Sequence, residues 1–118
     1  MLTRVVAVAF LVVAAACGDD RPTDPRVDAH VALCEAAARP ADARALFFDR
    51  SHDALHAGAR DLEDVDRAQA AELLQAKERV ESGLDAPRPT LADDISRLAD
   101  VYRTSLGRLA IEAPPCEK

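Results

Sequence analysis

The chain has 118 residues, 49% of them hydrophobic and 31% charged, with a net charge of −6. That length and balance suit one small globular domain and exclude a disordered tail. An acidic protein of this kind is excluded from binding nucleic acid, or anionic lipid headgroups, by charge.

The chain opens on a single basic residue, Arg4, followed by an unbroken apolar run from Val5 to Ala16 that closes on Ala14-Ala15-Ala16. The run is about a dozen residues, short of the ~20 that a membrane-spanning helix needs. This is the layout of a secretory signal peptide, residues 1–16. Cys17 follows, then Gly18-Asp19-Asp20. A cysteine placed after small residues resembles the lipobox of bacterial lipoproteins, although Ala14 stands where that motif usually has Leu. The resemblance covers residues 1 to 20. It implies that Cys17 receives a lipid and becomes the mature N-terminus, with plain cleavage after Ala16 as the alternative. It further implies export, with the domain on the extracytoplasmic face of a cell membrane or outer membrane. Residues 17–24 then form a short polar tether, reaching about 20 Å when extended, and residues 25–118 form the domain.

There are three cysteines. In an exported, oxidising setting an odd number asks for an explanation. Lipidation of Cys17 supplies it and leaves Cys34 and Cys116 as one disulfide pair. Closing a loop of about 80 residues stabilises the fold by roughly 4 kcal/mol in the chain-entropy model. Beyond the leader the aromatic residues are only Phe47, Phe48 and Tyr102, so the core must rest on Leu, Val and close-packed Ala, and the cross-link matters more.

The first predicted helix begins at Asp24-Pro25, where Asp caps and Pro takes the first helical position. Val27, Val31, Cys34 and Ala38 form its inward stripe, and Pro40 ends it. The second runs from about Pro40 to Leu62 with the stripe Ala45, Phe48, His52, Leu55, Ala59 and Leu62. The third runs from a capping Asp66 to Gly83, which reads as a stop signal, with Leu73, Ala76, Val80 and Leu84 inward. Between these two, Glu63-Asp64-Val65-Asp66 contains no Gly or Pro, so the break there rests on length, because one helix over 41–83 would be about 65 Å long. Residues 85–89 form a loop. Thr90 with Asp93 resembles a capping box that opens the fourth helix, whose stripe is Leu91, Ile95, Leu98, Tyr102, Leu106 and Leu109. Pro114-Pro115 cannot continue a helix, and an extended tail carries Cys116 back to Cys34. The expected fold is all-α, a small antiparallel bundle of four helices, with three helices including one long kinked one as the alternative.

Candidate chemistry lies on the second helix. Asp49, His52, Asp53 and His56 are three or four residues apart and share one side. His52 and His56, at i and i+4, have the spacing that grips one metal ion from a single helix face. His30, near the inward side of the first helix, would join them if the two helices pack face to face, giving a site for zinc, copper or haem. The alternative is that these histidines are structural and hold no cofactor. Ser51-His52-Asp53 is not a catalytic triad, because adjacent helical side chains point about 100° apart. No glycine-rich phosphate loop is present, and the charges from Arg67 to Glu81 read as a solvated face. The expected function is therefore non-enzymatic: a lipid-anchored envelope module that is structural or binds an envelope protein. A metal- or haem-binding lipoprotein using His52 and His56 is the second reading.

Overall fold

The computed structural model describes residues 24–117. The leader, the lipobox-like segment and Cys17 lie outside them. Within the described residues the regular elements are all helical.

Helix α1 spans Pro25–Ala38. The Asp24 carboxylate accepts the backbone N–H of Arg26 at 2.9 Å, satisfying one of the free donors of the first turn. The chain turns through a 3-10 segment, Pro40–Asp42, into α2, Ala43–Leu46. A π turn, Phe47–Ser51, joins α2 without a break to α3, His52–Leu62. After the turn at residues 63–66, α4 spans Arg67–Asp85, and after residues 86–90, α5 spans Leu91–Arg108. Counting α2, the π turn and α3 as one helix, the fold is a bundle of four. Short connections turn successive helices back on one another. Each helix packs on its neighbour in sequence, and α5 closes the ring against α1.

The break between the second and third predicted helices is real and is made by Asp66. Its carboxylate accepts the backbone N–H of Gln69 at 3.1 Å and the Arg108 guanidinium at 3.0 Å. One residue thus caps α4 and ties it to the end of α5. Deeper along the same pair, the buried Gln69 amide donates to the Val101 carbonyl and the Ser105 hydroxyl.

The centres of the predicted α4 and α5 stripes are the observed ones: Leu73, Ala76 and Val80 meet Ile95, Leu98, Tyr102 and Leu106 in the core, while Leu84, Leu91 and Leu109 are half-buried at its edge. The first two helices need correction. In α1 the buried positions are Ala29, His30, Ala32, Leu33 and Ala36, while Val27, Val31 and Cys34 are half-buried and Ala38 is exposed. The helix is apolar almost all round, so periodicity gave its face no direction; the alanines face inward because they allow α5 to approach closely. In the second helix Ala43, Phe47 and Ser51 replace Ala45, Phe48 and His52 on the core side. The π turn is the cause, since it keeps a stripe in steps of four aligned where a regular α-helix would let it drift.

Two end signals also differ. Gly83 does not stop α4; a Cβ there would lie 3.0 Å from the Leu91 side chain, so the glycine admits Leu91 to the core edge. Thr90 forms no capping box with Asp93. Its hydroxyl donates to Asp94, whose carboxylate also accepts from Arg79 at 2.8 Å.

Candidate functional site

The candidate metal ligands fall into two groups on different sides of the bundle. His52 is half-buried at the end of the π turn. Its Nε2 lies 3.2 Å from Glu81 Oε2 on α4 and its Nδ1 3.3 Å from Asp53 Oδ1. The same Glu81 oxygen accepts from Lys77, a buried lysine, at 3.1 Å. His56 follows one turn later, its ring 4.8 Å from that of His52 and exposed. The Lys77 charge, then partial desolvation, holds the His56 imidazole below the usual histidine value. Asp49 and Asp53 are exposed. Both nitrogens of His52 are thus engaged by carboxylates, and a cation stands beside the pair.

His30 is elsewhere. It is buried on α1, where its surroundings are Cys34 and, on α5, Ala99, Asp100 and Arg103. The structure does not bring it to His52, so the three-histidine arrangement is not formed. The reason is the rotated face of α1: residues 29, 33 and 36 take the centre of the bundle, and His30 faces α5 and the C-terminal tail.

There His30 has other company. Helical spacing puts Cys34 one turn on, with Sγ 3.9 Å from Nδ1 and 4.0 Å from Nε2 of His30. The tail brings Cys116 to the same place, and Cys34 and Cys116 are at disulfide-bonding distance, with Cα atoms 5.3 Å apart. The expected pairing is present. The route of the tail is set at the end of α5. Ala110 adopts a left-handed conformation, φ 63°. The N–H of Ala110 then bonds the Gly107 carbonyl and that of Ile111 the Leu106 carbonyl, a Schellman turn that satisfies the helix end. Arg103 Nε donates to the Ala113 carbonyl at 2.7 Å and holds the tail down three residues before Cys116.

These elements enclose an open groove of about 580 Å³, lined by His30, Val31, Cys34, Glu35, Pro114 and Cys116 among others. Burial first, and the Arg103 charge second, hold the His30 imidazole below the usual 6.5. At neutral pH it is therefore uncharged, the form that ligates metals and accepts protons. Among the described residues, His30, Cys34 and Cys116 are the one trio of potential ligands whose donor atoms all lie within 4.8 Å of one another. The His30–Cys34 spacing was a readable i, i+4 signal; it was overshadowed by the histidine pair on the second helix.

No described helix is long and apolar enough to cross a membrane. Compared with protein-family models, with curated proteins and with solved structures, the chain matches none.

Proposed function

We propose that this chain is an exported envelope lipoprotein, held to a membrane through Cys17, whose helical bundle is a non-enzymatic binding or structural module. The observation that carries the reading is the pairing of Cys34 with Cys116 inside the bundle. Of the three cysteines in the sequence this leaves Cys17, directly after the apolar run, as the one for lipidation. A cross-link of this kind is at home in an oxidising compartment. The tether from Cys17 is short, so the bundle would stand close to the membrane surface, with an acidic exterior that gives anionic headgroups nothing to attract. Contact with the bilayer then comes from the lipid alone.

The test is metabolic labelling with a fatty acid in a bacterial host, followed by fractionation. The native chain should carry the label, lack residues 1–16 and partition with membranes. Cys17→Ala should lose the label and leave the membrane fraction unless the leader is retained uncleaved. A native chain that is cleaved after Ala16 without acquiring lipid would refute the anchor. A chain that stays in the cytoplasm with three reactive thiols would refute export as well.

A further inference from the structure

We propose that His30, Cys34 and Cys116, once the disulfide is reduced, form a binding site for a single thiophilic metal ion of the copper(I) or zinc type. This rests on the groove geometry and is independent of the lipid anchor. The step that opens the site is a dithiol exchange. A dithiol reductant gives two electrons and two protons to the Cys34–Cys116 bond and is itself oxidised to a disulfide. The ion then displaces the two thiol protons, and both sulfurs bind it as thiolates.

The required geometry is nearly in place. With metal–sulfur and metal–nitrogen bonds of about 2.3 and 2.0 Å, ligand atoms at a tetrahedral centre lie about 3.5 to 3.8 Å apart. The Cys34 sulfur already stands 3.9 to 4.0 Å from the two imidazole nitrogens, so either tautomer offers a ligand nitrogen. The two sulfurs have to part, and the Cys116 sulfur, within 4.8 Å of the imidazole ligand atom, has to close on it. Cys116 stays nearby after reduction because the tail is held by the Schellman turn, by the Arg103 bond to Ala113, and by burial of Ala113 itself. Two thiolates and an imidazole are the donor set that soft ions prefer. Copper(I) is content with three ligands, whereas zinc takes a fourth, for which the groove offers water or Glu117, since both oxygens of Glu35 are held by Arg39 and Arg50. The His52–His56 pair lacks thiolates and has Lys77 beside it, which disfavours a cation there.

The test uses the full chain carrying Cys17→Ser, so that Cys34 and Cys116 are its only thiols. The protein is reduced with dithiothreitol and desalted without oxygen. It is then titrated with cobalt(II), a spectroscopic stand-in for zinc, and separately with copper(I). One equivalent of either ion should bind, with a sulfur-to-metal charge-transfer band that the oxidised chain does not give. His30→Gln should weaken binding at least about tenfold, while His52→Gln and His56→Gln leave it unchanged. Far-UV circular dichroism is recorded in parallel. If reduction alone melts the helices, the ion should restore them. A reduced chain, folded or unfolded, that gives no thiolate band with either ion overturns the proposal. So does a His30→Gln variant that binds as tightly as its parent.

Discussion

Ala110 holds a conformation that costs an L-residue about 1–2 kcal/mol relative to right-handed backbone, and it is the one non-glycine described residue with positive φ. The Schellman turn needs that conformation, so Ala110→Gly should raise stability by about 0.5–1 kcal/mol, the smaller figure allowing for glycine's greater unfolded-state freedom. Gly107 is the mirror case. It lies in the last turn of α5 at ordinary helical φ, and a Cβ there would meet nothing within 4 Å. Gly107→Ala should also stabilise, by about 0.5–1 kcal/mol. Urea denaturation of both single variants and the double variant checks this, and a loss of stability in Ala110→Gly would mean that the turn is not formed. His30 gives a pH dependence. Its folded-state value is depressed by burial, so as pH falls through about 6.5 the unfolded chain takes up a proton that the folded chain still refuses. The unfolded state then binds more protons, and stability declines on acidification. Between about pH 7 and pH 5 the parent should lose stability, and His30→Gln should lose less. His56 is shifted the same way but is exposed, so His56→Gln should flatten the profile less than His30→Gln. Equal profiles for His30→Gln and its parent would show that the fold does not depress the His30 imidazole.

At the scale of the elements, the π turn makes an unusual deletion tolerable. Ala43 and Leu62 are both buried and nineteen positions apart; on a regular α-helix that separation leaves them about 100° out of line. Removing one exposed residue between Phe47 and Ser51 makes the separation eighteen, five whole turns. Deleting Asp49 should therefore turn the segment into regular α-helix with the same residues buried, changing stability by no more than about 1 kcal/mol. Deleting Ala57, in the regular part of the same helix, rotates one flank by about 100° and should unfold the chain. Circular dichroism and thermal melts of the two deletions separate these outcomes. The same element shows what sequence alone conveys. The α4 and α5 stripes were legible because leucines and other large apolar residues recur there on one face among charges. The break before α4 was legible only from length; the cap that makes it, Asp66, was readable as a helix start but not as proof of a break. The α1 face was not, because valines, alanines and a histidine lie all round it and only the close approach of α5 selects the small ones. The π turn was not, because steps of three and of four both find an apolar residue at Phe47 or Phe48. The undirected face of α1 carried the candidate site with it: His30, on the first helix, was expected to join His52 and His56 on the second, whereas the fold turns it toward the tail and the disulfide.

For the molecule as a whole, the cross-link joins positions 82 residues apart, from the first helix to the last residues described. In the chain-entropy model a loop of that length is worth roughly 4–5 kcal/mol. Small domains commonly have only about 5–15 kcal/mol in total, and this core holds few aromatic rings. Reduction, or the pair Cys34→Ala with Cys116→Ala, should then lower the unfolding free energy by about 4 kcal/mol, measured by urea denaturation with and without dithiothreitol. The Schellman turn and the Arg103 bond also hold the tail. Both are local to residues 103–113, so neither closes the 34–116 loop in the denatured ensemble, and they act on the folded state alone. Arg103→Met separates the two effects, since it removes the tail's tie without touching the disulfide. In the oxidised chain it should cost little, because the bond to Cys34 still holds the tail. In the reduced chain it should cost the value of a partly buried, charge-assisted hydrogen bond, about 1–2 kcal/mol. Equal costs in both states would mean that the tail docks independently of the cysteines. The disulfide would then be a reinforcement of a path that the end of α5 already sets.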